Sequence, residues 1–142
     1  MSDHRRVEFT ISLADAEDTG DRLVAALDAL AAAGREADAP PRMYLPTPGD
    51  LVPEMVMRPR QAFFGPVEVV GAKEAVGRVA AEQITPYPPG VPAILPGERI
   101  TEKVLRYLRT GIACGLVVPN AGDPQLDSLR VVREAEPGDP RA

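Results

Sequence analysis

Five prolines and two glycines crowd into the thirteen residues of "PYPPGVPAILPGE", Pro86 to Glu98, and neither a helix interior nor a central strand can be built from them. Each proline fixes its own φ, removes a backbone donor and pushes the preceding residue toward extended geometry. Pro86, Pro88 and Pro89 therefore stiffen "TPYPP" before it packs against anything. Gly90 permits a turn, Pro96 with Gly97 turns the chain again, and Glu98 follows on that elbow just ahead of Thr101. Taken by composition, the stretch is open to three readings: a flexible linker, a proline-motif ligand for another protein, or a rigid wall. Val91, Ala93 and Ile94 weigh against the linker, because flexible linkers lack packing residues. Proline-motif ligands lie exposed in polar, disordered surroundings, which this one does not have. Glu98 has two roles open to it. A rigidly placed carboxylate suits recognition of a cationic group, and a carboxylate beside a helix start also complements the helix dipole.

The flanking sequence predicts an α+β chain with an N-terminal strand-helix lobe and a small α/β C-terminal lobe. In "RVEFTISL", Val7, Phe9, Ile11 and Leu13 alternate with polar residues, the period of a half-buried strand over 6–13. Leu23, Leu27, Leu30 and Ala31 then recur at helical spacing, with Asp18 or Thr19 as cap and Gly34 as stop. Residues 35–59 hold six prolines, so a crossover is expected there, packed along a surface by Met43, Tyr44, Leu45, Leu51, Val52, Met55, Val56 and Met57. Beyond it, "QAFFGPVEVVG" reads as extended, with Phe63 and Phe64 as core anchors. A helix is predicted over "AKEAVGRVAAEQ" with Ala75, Val76, Val79 and Ala80 as its stripe. The helix "TEKVLRYLRTGIACG" is the most plainly written, with Thr101 as cap, Glu102 in the first turn, Val104, Leu105, Leu108 and Ile112 on one face, and Gly115 as stop. "SLRVV" closes the fold as a short strand. The expected division is 1–57 for strand, helix and crossover, 58–134 for the C-terminal domain, and 135–142 for a solvated tail.

Totals remove several classes of function. With 142 residues, 44% apolar and 26% charged, the chain can bury a core. Its net charge of -5 is opposed to a nucleic-acid footprint, which needs clustered Lys and Arg. His4 is the only histidine and Cys114 the only cysteine, so neither a catalytic triad nor a Cys/His zinc site can be assembled internally. The acidic runs "DAED" and "GDPQLD" lack the ligand pattern of a calcium loop and read as turns. No signal-peptide pattern and no run of about 18 apolar residues occurs, so a cytoplasmic location without membrane contact is expected. Lys73 and Lys103, the only lysines, sit early in their helices outside the apolar stripes, and read as surface residues.

In their order and separation, "RPRQAFFG", "EAVGRVAAE", "TPYPPGVP" and "LPGE" resemble the C-terminal domain of the Orn/Lys/Arg decarboxylase family. The resemblance is dense from Arg58 to Arg109 and weaker through "GDPQLDSLRVV", and residues 1–34 are similar to the strand and helix that follow the family's large domain. It implies a carboxy-lyase that uses pyridoxal phosphate on a basic amino acid. The same resemblance places the cofactor lysine, the carboxylate for the pyridine nitrogen and the stacking ring in that large domain, so no cofactor is expected on these residues alone. Tyr87, Pro88, Pro89 and Gly90 correspond to a rigid segment, and Pro96, Gly97 and Glu98 to a substrate-side elbow. Tyr87 and Glu98 are then the expected substrate contacts, with Glu98 toward the distal cation. Phe63, Phe64, Gly77 and Arg78 fall on family positions read as core and packing. The implied partners are a cofactor-binding core or further copies of the chain; the competing expectation is a non-enzymatic relict or regulatory module.

Overall fold

A computed structural model describes residues 7–39 and 41–134, and the chain divides into two compact units, 1–41 and 42–142. In the first, helix α1 spans Thr19–Glu36 with Asp18 at its N-cap. It runs through Gly34, because a glycine with a right-handed backbone costs a helix only about 1 kcal/mol and does not end it. The helix stops instead ahead of Pro40 and Pro41, which cannot donate to a continuing turn. No residue of α1 is buried. The strand expected over 6–13 does not form: Val7 makes an isolated bridge, residues 8–12 have no regular structure, and Arg6 lies outside the described residues. Alternation supplies a face, but a strand also needs a ladder partner. Ser12 turns the chain instead, its N–H and hydroxyl both donating to Asp15, at 2.7 and 3.0 Å.

The second unit carries the core. A 3₁₀ turn occupies Pro48–Leu51, then α2 Pro59–Phe64, β1 Val67–Gly71, α3 Ala72–Ala75, α4 Glu102–Ala113 and β2 Ser128–Val132. Strands β1 and β2 pair antiparallel, Val67 opposite Val132 and Gly71 opposite Ser128. Helix α4 forms as its sequence dictates: the Thr101 hydroxyl accepts from Val104 N–H at 3.3 Å, Val104, Leu105 and Leu108 are buried, and Gly115 follows at φ +96°. Leu129 and Val131 of β2 meet that face, joined by Ile84, Ile94, Ile100, Val118 and Leu126 in one cluster. Each such side chain contributes about 1.5–3 kcal/mol by leaving water, so the proline-rich stretch is part of the core and not an appendage to it. Among the described residues no helix is long and apolar enough to cross a membrane.

Two segments differ from expectation. "RPRQAFFG" begins as helix α2, with Pro59 at its first position, where a missing N–H costs nothing. In so short a helix only Ala62 faces inward; Phe63 and Phe64 are 54% and 74% exposed, so they are not core anchors. Their rings meet edge to face with centroids 5.0 Å apart, and the Arg60 guanidinium lies over Phe64. The helix expected over 72–83 ends at Ala75. Gly77 turns at φ +86°, and Val79 and Ala80 form bridges to Arg99 and Val131. Extended partners on both sides satisfy this backbone better than a helix with one glycine and two valines could.

Candidate functional site

The wall is held by backbone hydrogen bonds along its length. Tyr87 exchanges N–H and carbonyl bonds with Val117 at 2.8 and 3.1 Å, and Ile84 N–H donates to Ile94 at 2.9 Å. Gly97 N–H donates to Ala80, and the Gly97 carbonyl accepts from Val56 N–H, each at 2.8 Å. The Tyr87-Pro88 and Pro88-Pro89 peptide bonds are cis. Pro86, Pro96 and Gly97 are buried. Pro88 is half-buried, and Pro89 and Gly90 lie at the surface turn. Gly90 sits at φ +88° with the Tyr87 ring 3.5 Å from the point where a Cβ would project.

Glu98 is half-buried on the elbow. Its N–H donates to the Leu95 carbonyl at 3.1 Å and its carbonyl accepts from Ala80 N–H at 2.8 Å. One carboxylate oxygen, Oε2, accepts from Leu95 N–H at 2.7 Å. The other receives no hydrogen bond from the described residues. The side chain is thus fixed in direction and keeps acceptor capacity, since an ionised carboxylate has about four lone-pair sites. Tyr87 is 55% exposed. The two expected contact residues are held by different segments, Tyr87 by Val117 and Glu98 by Met55, and among the described residues no hydrogen bond joins them.

Neither lysine fits a cofactor amine. Lys73 is exposed on α3. Lys103 donates to Asp50 at 2.6 Å, and that carboxylate pushes the ammonium pKa up, opposite to the direction a Schiff-base amine needs. The same contact, with help from Thr47, lowers Asp50 to about 2. Among the described residues no group of three or more His, Cys, Asp or Glu could hold a metal ion. Asp123 of the acidic turn spends its carboxylate on the N–H groups of Gln125, Asp127 and Ser128, at 2.9–3.0 Å, and these bonds hold its pKa down.

Sequence reasoning missed two positioning residues. Glu82 is 6% exposed, and its two oxygens accept from Gly122 and Arg130 N–H, both at 2.7 Å. Arg99 donates to Glu54 at 3.0 Å and to the Gly77 carbonyl at 2.8 Å, joining the crossover, the Gly77 turn and the elbow. A polar residue inside an expected helix was the only signal for Glu82, and its partners lie 40 and 48 positions away. Arg78, read as packing, is partly buried in ion pairs with Glu68 and Glu134.

Comparison with known proteins bears on this geometry. Residues 41–119 match the family described as Orn/Lys/Arg decarboxylase, C-terminal domain. An arginine decarboxylase of Halalkalibacterium halodurans is 38% identical over 96% of the chain and 28% of its own length, and one of Bacillus subtilis is 36% identical over 94% and 27%. A lysine decarboxylase of Pseudomonas aeruginosa is 43% identical over 57% of the chain and 12% of its own length. The chain therefore spans little more than a quarter of the arginine decarboxylases it matches. With the family match covering the 3₁₀ turn, the wall, the elbow and all of α4, the chain belongs to the Orn/Lys/Arg decarboxylase family, in its C-terminal domain.

Proposed function

We propose that the chain is the C-terminal module of a pyridoxal-phosphate-dependent decarboxylase acting on a basic amino acid, lending substrate-side and assembly contacts to a core that carries the cofactor lysine. The observation that carries this reading is Glu98: one carboxylate oxygen closes the elbow and the other is left on a rigid wall, the arrangement a substrate cation requires. The cofactor supplies the electron sink when bound to that core; this chain's share is to orient the substrate's distal cation. Tyr87, on the same wall, supplies an aromatic surface at its far end. The test mixes the full chain with a cofactor-binding decarboxylase core and follows carbon dioxide release from arginine, lysine and ornithine. Release that depends on the chain is expected, and Glu98→Gln should raise KM about tenfold or more, the loss of one charge-assisted contact, while assembly persists. Absence of both binding and activity with such cores would sink the proposal. A non-enzymatic regulatory module is the second reading, favoured by the Leu95 bond to Glu98; it predicts that Glu98→Gln changes thermal stability and leaves KM alone.

A further inference from the structure

Grooves of about 430 to 490 Å³ occur more than once on the second unit, and the one between α3 and α4, about 490 Å³, has a charge pattern of its own. On α4, Glu102, Leu105, Arg106 and Arg109 follow at i, i+3, i+4 and i+7, so they share one face. Lys73 of α3 lies across from them, and Val76 with Leu105 supplies an apolar floor. Three cations and one carboxylate thus line a single groove on a chain whose net charge is -5. Arg106 stacks on Tyr44, guanidinium carbon 4.5 Å from the ring centroid, which fixes the plane of the fork and leaves its N–H donors unused. Arg109 is steadied from outside the groove by Asp127 at 3.2 Å. Lys73 has no hydrogen-bond or ion-pair partner among the described residues.

We propose that this groove binds a small dianionic oxyanion, the head group of a phosphate monoester or a dicarboxylate. Arg106 offers a bidentate fork, and Lys73 and Arg109 add point charge on either side. Glu102 lies one turn, about 6 Å along the helix, from Arg106 and about 10 Å from Arg109, which directs the anion to the side of the Arg106 fork that faces Arg109 and leaves the Glu102 end for a hydrogen-bond donor on the ligand body. This site shares no residue with the wall or with Glu98, so it stands independently of the decarboxylase reading.

The test records amide NMR spectra of the full, isotope-labelled chain while inorganic phosphate, succinate or chloride is added at matched ionic strength. Saturable shifts at Lys73, Val76, Arg106 and Arg109 are expected with phosphate, succinate or both, at a Kd of about 1 mM or tighter. Which of the two saturates identifies the head group. Lys73→Gln with Arg106→Gln should weaken the response about tenfold or more. Lys73→Gln alone, which leaves the Tyr44 stack intact, serves as a second variant and should weaken it severalfold. Shifts reproduced by chloride, shifts that never saturate, or variants that respond as the parent does would each overturn the site.

Discussion

At Gly97 a methyl group would sit 2.3 Å from the Met57 carbonyl oxygen, on a backbone held at φ +92°. Both the left-handed conformation and the close approach demand glycine there. Gly97→Ala is therefore expected to lose about 2–3 kcal/mol, read as a lowered urea midpoint, and to loosen the elbow that aims Glu98. Glu82 makes a different demand, because both donors it serves are backbone N–H groups. In Glu82→Gln an amide NH₂ would face one of those donors, at a cost of about 2 kcal/mol, measurable by the same unfolding experiment. Smaller loss on Glu82→Gln than on a surface Glu→Gln control would contradict the clamp.

At the scale of elements, the 3₁₀ turn Pro48–Leu51 is tied to α4 through Asp50 and Lys103. The folded-state pKa of Asp50 lies near 2, below its ordinary 3.8, so the ionised form is the one that folding favours. Its contribution is complete above the ordinary value and fades as pH falls from there toward about 2. A carboxyl-detected NMR titration should place the Asp50 midpoint well below that of a solvated aspartate, and Lys103→Met should return it toward 3.8. Helix α4 was legible because its cap, stripe and stop agree within fifteen residues. Residues 76–81 were not, because their extended form depends on β2 and the elbow, both distant in sequence.

Across the whole molecule, apolar surface is divided unevenly. The second unit buries an aliphatic core while leaving Val52, Val69 and Val91 exposed, whereas α1 buries no residue: Leu27 and Leu30 are 40% and 62% exposed, and Val7, Phe9 and Ile11 ahead of it are more than half exposed. Faces patterned for burial but left in water favour association. The isolated chain should therefore self-associate with rising concentration in sedimentation velocity, and Leu27→Glu with Leu30→Glu should keep it monomeric. A parent chain that stays monomeric throughout would remove α1 as an assembly surface.

Residue order by itself determined whatever is local. Prolines fix φ without any partner, which made the wall stiff, and a cap, a stripe and a stop within one segment specified α4; the motifs "TPYPPGVP" and "LPGE" carried the family. Beyond that stripe, tertiary structure decided which apolar residues are inside, turning Phe63 and Phe64 outward and leaving 8–12 without a ladder. It also closed the Glu82 clamp and set Arg106 on Tyr44. Those outcomes depend on groups brought together from 40 or more positions apart, and no local periodicity encodes a contact at that separation.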